Sequence, residues 1–159
     1  MKKLEIKLPE IPDRSCGTCT KCCEGWLDGS VLGEWMQPGI PCPFVEMNKG
    51  CTIYNDRPYD PCRQYSCLWL KDKNIPNWMK PETSNAILDD AKVDGIPYLR
   101  LIEAGTPLRP EVLTWVVKYA VKNDKNLYWQ VNNTAHWIGS KPFMEAISRI
   151  KGNQVLNER

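Results

Sequence analysis

One histidine, His136, serves the whole 159-residue chain, so any Ser-His-Asp or Cys-His machine has a single candidate base. Charge of one sign is missing too. The net charge is +2, from 21 basic and 19 acidic residues, and no block of five like charges occurs. That balance gives no electrostatic reason to expect a nucleic acid partner. No apolar run approaches the ~18 residues of a membrane span, so no membrane partner is expected either. Lys2 and Lys3 are followed by Glu5, Lys7 and Pro9, where a signal peptide would carry an apolar core. The expected compartment is therefore the cytoplasm. Residues 84–159 contain no glycine-rich cofactor loop, and the C-x3-C-x2-C pattern of the radical enzymes is absent. Radical chemistry is accordingly not expected. There is no internal repeat and no low-complexity tract.

What the chain does have is clustered sulfur. Four of its eight cysteines, Cys16, Cys19, Cys22 and Cys23, fall within eight residues, and Cys42, Cys51, Cys62 and Cys67 follow. The full spacing is C-x2-C-x2-C-C-x18-C-x8-C-x10-C-x4-C. Two residues between cysteines let a tight turn aim both sulfurs at one ion, while backbone N–H groups and the cation favour the thiolate. In a reducing compartment such a cluster points to metal rather than to disulfides, although eight cysteines would also fit four bridges. All eight are candidate metal ligands. Cys22 and Cys23 are adjacent, so their side chains diverge. One of them is expected to complete a second site, bridge two metals or face the core. Eight thiolates suit two tetrahedral zinc sites. Equally, Cys16-x2-Cys19-x2-Cys22 matches the opening of a bacterial ferredoxin-type run, which suits a 4Fe–4S cluster. Spacing alone does not separate zinc from iron–sulfur.

The rest of the chain reads as α+β. A cysteine-rich region (1–70) is joined by a linker (71–83) to a small antiparallel β-β-α-β-β-α region (84–159), the two packing as one unit. Leu4, Ile6 and Leu8 alternate as a short strand. Residues 31–36 are a strand or a helical turn, and the prolines around Cys42 form a fixed loop that delivers it. Pro61 opens a helix to about Leu70, with Asp60 as N-cap. Residues 84–93 and 96–104 are strands meeting at Asp94-Gly95. A helix with Val112, Val116 and Ala120 on one face spans 109–122. A second hairpin turns at 132–134, a helix covers 142–150, and the last nine residues are expected to fray.

The ordered set of Cys16 to Cys23, Cys42-Pro43-Phe44, Gly50-Cys51-Thr52-Ile53-Tyr54, Arg57-Pro58, Cys62 and Cys67 resembles the zinc- or iron-chelating C-x2-C-x2-C-C family, the YkgJ-type cysteine-cluster proteins. The likeness covers residues 16 to 69. It implies metal chelation and leaves iron and zinc both open. A flagellin lysine N-methylase shares a similar cluster, so the resemblance also admits an accessory or catalytic part of a protein lysine N-methylase. Against this, the chain is short for a complete methyltransferase.

Arg57 and Arg63 flank the cluster and are read as cofactor-facing cations; an ordinary salt-bridge role is the alternative. Tyr54, Tyr59, Tyr65 and Trp69 are expected to pack around the site and exclude water. Trp26, Trp35 and Trp78 are expected in the core rather than on an exposed stacking surface. Asp89, Asp90 and Asp94 do not match an EF-hand and read as a solvated turn. His136 reads as structural or surface-lying. The function expected is metal binding with a redox or protein-modification role. The alternative is a zinc-stabilised interaction module whose partner is another protein.

Overall fold

Strand β5 (Ala86–Val93) and strand β6 (Ile96–Glu103) hold the longest ladder in the molecule, and their turn is made by Asp94 and Gly95, both at positive φ. Such a turn matches the twist of the flanking strands, which is why Asp-Gly favours it. In this computed structural model, which describes residues 14–157, the chain is α+β. The strand expected over residues 4–8 lies outside the described residues.

Four strands form the main sheet in the order β5-β6-β7-β8, with β7 spanning Leu127–Val131 and β8 spanning Thr134–Ile138. The sheet is mixed, not antiparallel as expected, because β6 and β7 run parallel. The helix Pro110–Lys122 between them returns the chain to the same end of the sheet, which makes the second strand parallel to the first. Thr134 belongs to β8, opposite Val131, and the turn is Asn132-Asn133 alone. Ser84 is not in β5 either. It ends a short helix, Pro81–Ser84, which Asn85 stops with a left-handed backbone. The closing helix runs Lys141–Asn157, so residues 151–157 continue it rather than fray.

The sheet is covered differently on its two sides. Phe143, Ala146 and Ile147 pack with Val93 and Tyr128 in one cluster. Val112, Val116 and Ala120 join Leu99, Leu101 and Leu127 in another, which continues into the cysteine-rich half through Leu27, Val31, Cys67 and Trp69. Segment 71–83 contributes Ile75 and Met79 to that second cluster, and both are almost fully buried. Arg14 fastens the same segment from outside. Its guanidinium donates to the carbonyls of Trp69 at 2.6 Å, Asp72 at 3.0 Å and Ile75 at 2.6 Å, and lies over the Trp69 ring at 4.7 Å.

Among the described residues, the cysteine-rich half has only short strands. β1 (Gly29–Val31) pairs with β2 (Glu34–Met36), and β3 (Val45–Glu46) pairs with β4 (Gly50–Cys51). The open choice at 31–36 thus resolves as half of a hairpin. Among the described residues no helix is long and apolar enough to cross a membrane.

Candidate metal centre

The opening knuckle is built by backbone hydrogen bonds. Cys19 N–H donates to the Cys16 carbonyl at 2.9 Å, and Cys23 N–H to that of Thr20 at 2.8 Å, closing a single 3-10 turn over Lys21–Cys23. Glu24 locks this turn from its side: it accepts from Thr20 Oγ1 at 2.6 Å and from Lys21 Nζ at 3.1 Å. The chain then passes so close to the 37–40 loop that a Cβ on Gly25 would lie 2.8 Å from the Gln37 carbonyl oxygen. Only glycine fits there. That proline-rich loop brings in Cys42, whose N–H donates to the Cys23 carbonyl at 2.9 Å. Cys51 arrives opposite Val45 on β4.

The helix expected from Pro61 to Leu70 does not form as one piece. A wide helical turn covers Tyr59–Arg63, with Asp60 extended inside it, and a separate helix covers Leu68–Lys71 with Cys67 as its N-cap. On one continuous helix, side chains five positions apart point roughly 140° apart. The break at residues 64–67 lets Cys62 and Cys67 face the same space.

That space is a cavity of about 160 Å³ lined by all eight cysteines. Its wall also carries Phe44, Tyr65 and Trp69, and two cations, Arg57 and Lys80. Among the described residues no histidine lines it, and Asp28 is its only carboxylate. All eight cysteines are free. Among the described residues no three Cys, His, Asp or Glu side chains close tightly enough to hold one metal ion as they stand.

The electrostatics are those of crowded sulfur. Burial pushes the Cys16 thiol up, and the nearby Cys67 adds to this, while Arg57 and Lys80 oppose it. Burial raises Cys19, against N–H groups of Lys21 and Glu82 that donate to its sulfur. Cys23 is pushed up to about 12, by burial first and then by Cys42, Cys51 and Cys62. Burial raises Cys62, with Cys42 and Cys51 adding and Arg57 opposing. Cys22 and Cys67 act as a pair. The Cys22 thiol donates to Cys67, so Cys22 is pushed up and Cys67 is held down to about 7, helped by the N–H groups of Leu70 and Trp69.

The other residues singled out from the sequence divide. Arg57 lines the cavity, donates to the Tyr54 carbonyl at 2.8 Å and stacks on the Tyr54 ring at 3.6 Å. Arg63 does not line it; it donates to the Asn55 carbonyl at 3.0 Å on the exposed side. Tyr54, Tyr65 and Trp69 are on the wall, whereas Tyr59 is exposed. Trp35 and Trp78 are also exposed, against expectation: Trp35 lies on the two-stranded β1–β2 hairpin, and Trp78 on a short turn where it meets Trp115 edge-on. His136 is exposed and stacks on Trp129 across β7 and β8, away from the cavity.

Sequence reasoning missed three functional neighbours. Lys80 sits in the expected linker yet reaches Cys16 and Cys19. Tyr65 donates to Asp89 at 2.9 Å, and Asp89 is 1% exposed rather than part of a solvated turn. Arg100 opposite it on β6 donates to both Asp89 oxygens, at 3.0 and 2.8 Å. The pairing of Asp89 with Arg100 followed from the hairpin register, which was the one available signal. Burial, and then the charges of Cys22 and Asp89, raise the Tyr65 hydroxyl, so it stays protonated and donates to the carboxylate. Comparison of the chain with protein-family models, with curated proteins and with solved structures found no match.

Proposed function

We propose that this chain is a metal-binding protein whose eight cysteines hold zinc or an iron–sulfur cluster in the cavity they line. The observation that carries the reading is the convergence of every cysteine in the chain on one space. Sulfurs spread over 52 positions of sequence, from Cys16 to Cys67, do not meet by packing preference alone. The donor set fits the group. It is all thiol, with no histidine and one carboxylate, which disfavours calcium or magnesium and favours soft, tetrahedral, sulfur-loving metal. Raised thiols say the same in energetic terms, since several thiolates in one half-buried space need more positive charge than Arg57 and Lys80 supply. A bound metal would take these sulfurs as thiolates, their protons passing to solvent. N–H groups already aimed at Cys19 and Cys67 stabilise those anions.

Such a group, when bound, supplies folding free energy and, if it is iron–sulfur, an electron store. The free thiols accord with a reducing, cytoplasmic setting. The likeness of residues 16–69 to the YkgJ-type cysteine-cluster proteins belongs to the same reading. Metal analysis and an absorption spectrum on protein purified without oxygen test it. The expected result is zinc, or iron with a broad band near ~400 nm, in stoichiometric amount. A metal-free chain whose reduced form takes up neither zinc nor iron would overturn it.

A further inference from the structure

We infer that Lys80 is the charge-balancing residue of the metal centre: its ammonium, braced against the knuckle by Glu82, offsets the negative charge that thiolates bring to a bound metal. The inference rests on the metal-binding reading above. It adds to that site a residue from outside the cysteine-rich region.

The backbone settles where Lys80 starts. Its N–H donates to the Asn77 carbonyl at 3.0 Å, closing the turn Asn77–Met79. Its carbonyl accepts from the N–H groups of Thr83 at 2.8 Å and Ser84 at 2.9 Å, opening the short helix Pro81–Ser84. Met79 and Pro81, its two neighbours, are buried. So held, Lys80 lines the cysteine cavity, where among the described residues Arg57 is the one other cation. Arg57 is taken up by the Tyr54 carbonyl and ring.

The Lys80 ammonium ends beside the knuckle. A Cβ on Gly17, the residue after Cys16, would lie 3.8 Å from Nζ. Glu82 braces it there, with Oε1 at 2.5 Å from Nζ, and the other oxygen of that carboxylate accepts from Thr18 Oγ1 at 3.1 Å. Thr18 lies between Cys16 and Cys19, so the three side chains tie the first turn of the knuckle to segment 77–84. The ion pair has a direction. Lys80 lines the cavity and Glu82 does not, so its positive end is the one on the sulfur side. Nζ also lies 5.4 Å from the centre of the Trp69 ring, and the Lys80 side chain is only 19% exposed. A charge so little hydrated is screened less by salt than a surface lysine. Zinc held by four thiolates is anionic, as is a 4Fe–4S cluster held by four, and a fixed cation beside either one stabilises it.

The test measures zinc affinity of the reduced full chain by competition with a chromophoric chelator, for wild type, Lys80→Arg, Lys80→Met and Lys80→Glu. Lys80→Arg keeps the charge and is expected to keep most of the affinity. Lys80→Met is expected to weaken zinc about tenfold, the low end for outer partners of metal ligands. Lys80→Glu is expected to weaken it further. If the chain takes up iron–sulfur instead, reduction potential replaces affinity and is expected to fall in the same order, because the reduced centre carries the extra negative charge. A second arm needs no substitution: in nitrogen-15 NMR of lysine-labelled wild type, the Lys80 ammonium resonance is expected to move on metal loading. Lys80→Met with the wild-type value would overturn the inference and leave metal binding standing. So would equal losses in Lys80→Arg and Lys80→Met, which point to packing rather than charge, or a Lys80 resonance that loading leaves in place. Wild type that takes up neither zinc nor iron would overturn both.

Discussion

Strands β5 and β6 run eight residues each and share a buried core with helices at 110–122 and 141–157. Strands β1 to β4, by contrast, run two or three residues and occur only as isolated pairs. A lone two-stranded hairpin is marginal in water. In the sheet half, the inward positions are Ile87, Leu101, Val112, Val116, Leu127 and Phe143, all at most 2% exposed. In the cysteine half, Leu27, Val31, Met36, Leu68 and Trp69 are buried, and six of the eight cysteines are only half-buried. The difference teaches that one half is held by an extended ladder over apolar burial, while the other has short ladders and a cavity lined by thiols, where, under the proposed function, a bound metal supplies the organising interaction.

Chelation is the largest way to break that contrast. Structural thiolate–zinc sites supply ~10–16 kcal/mol in small domains. Metal removal is expected to strip hydrogen-exchange protection from residues 16–70 while β5–β8 keep theirs. Equal protection of residues 16–70 before and after chelation would erase the distinction between the halves. Phe143→Ala attacks the other side. It empties a fully buried site and is expected to cost ~3–5 kcal/mol in urea unfolding, with metal content unchanged. Metal loss in that variant would show that the sheet supports the site directly.

Asp89→Asn probes the join. It removes the carboxylate that binds Arg100 twice and receives Tyr65 from the cavity wall. The expected cost is about 3 kcal/mol, low for a broken buried pair because Arg100 is partly exposed. A change under about 1 kcal/mol would mean that the ion pair does not couple the halves. The smallest effect is expected from His136→Ala: unchanged metal content, and stability within ~0.5 kcal/mol, as for most exposed positions. Loss of one metal equivalent would bring His136 into the site.

Much of the sheet half was legible because local chemistry and tertiary structure agree there. Asp94-Gly95 requires positive φ and makes its turn, and Val112, Val116 and Ala120 recur at helical spacing and are buried. The parallel pairing of β6 and β7 was not legible, because strand periodicity carries no direction. Segment 71–83 looked like a connector because its lysines, asparagines and prolines are loop chemistry. Ile75 and Met79 are too few to show a pattern, yet both are buried. Asp89 looked solvated beside Asp90, but adjacent strand residues point to opposite faces. Which of them is buried depended on what packed against each face.

By itself the sequence determined that eight cysteines fall within residues 16–67, that a knuckle forms at Cys16–Cys23, and that an α+β half follows with its main turns in place. These depend on spacing of a few residues, where backbone geometry leaves little choice. Only the tertiary structure decided that Asp89 is buried against Tyr65, and that Lys80 joins the cavity wall. Those depend on chain closures of twenty residues or more. Their outcome is set by packing and hydrogen bonding between segments, and no local preference encodes it.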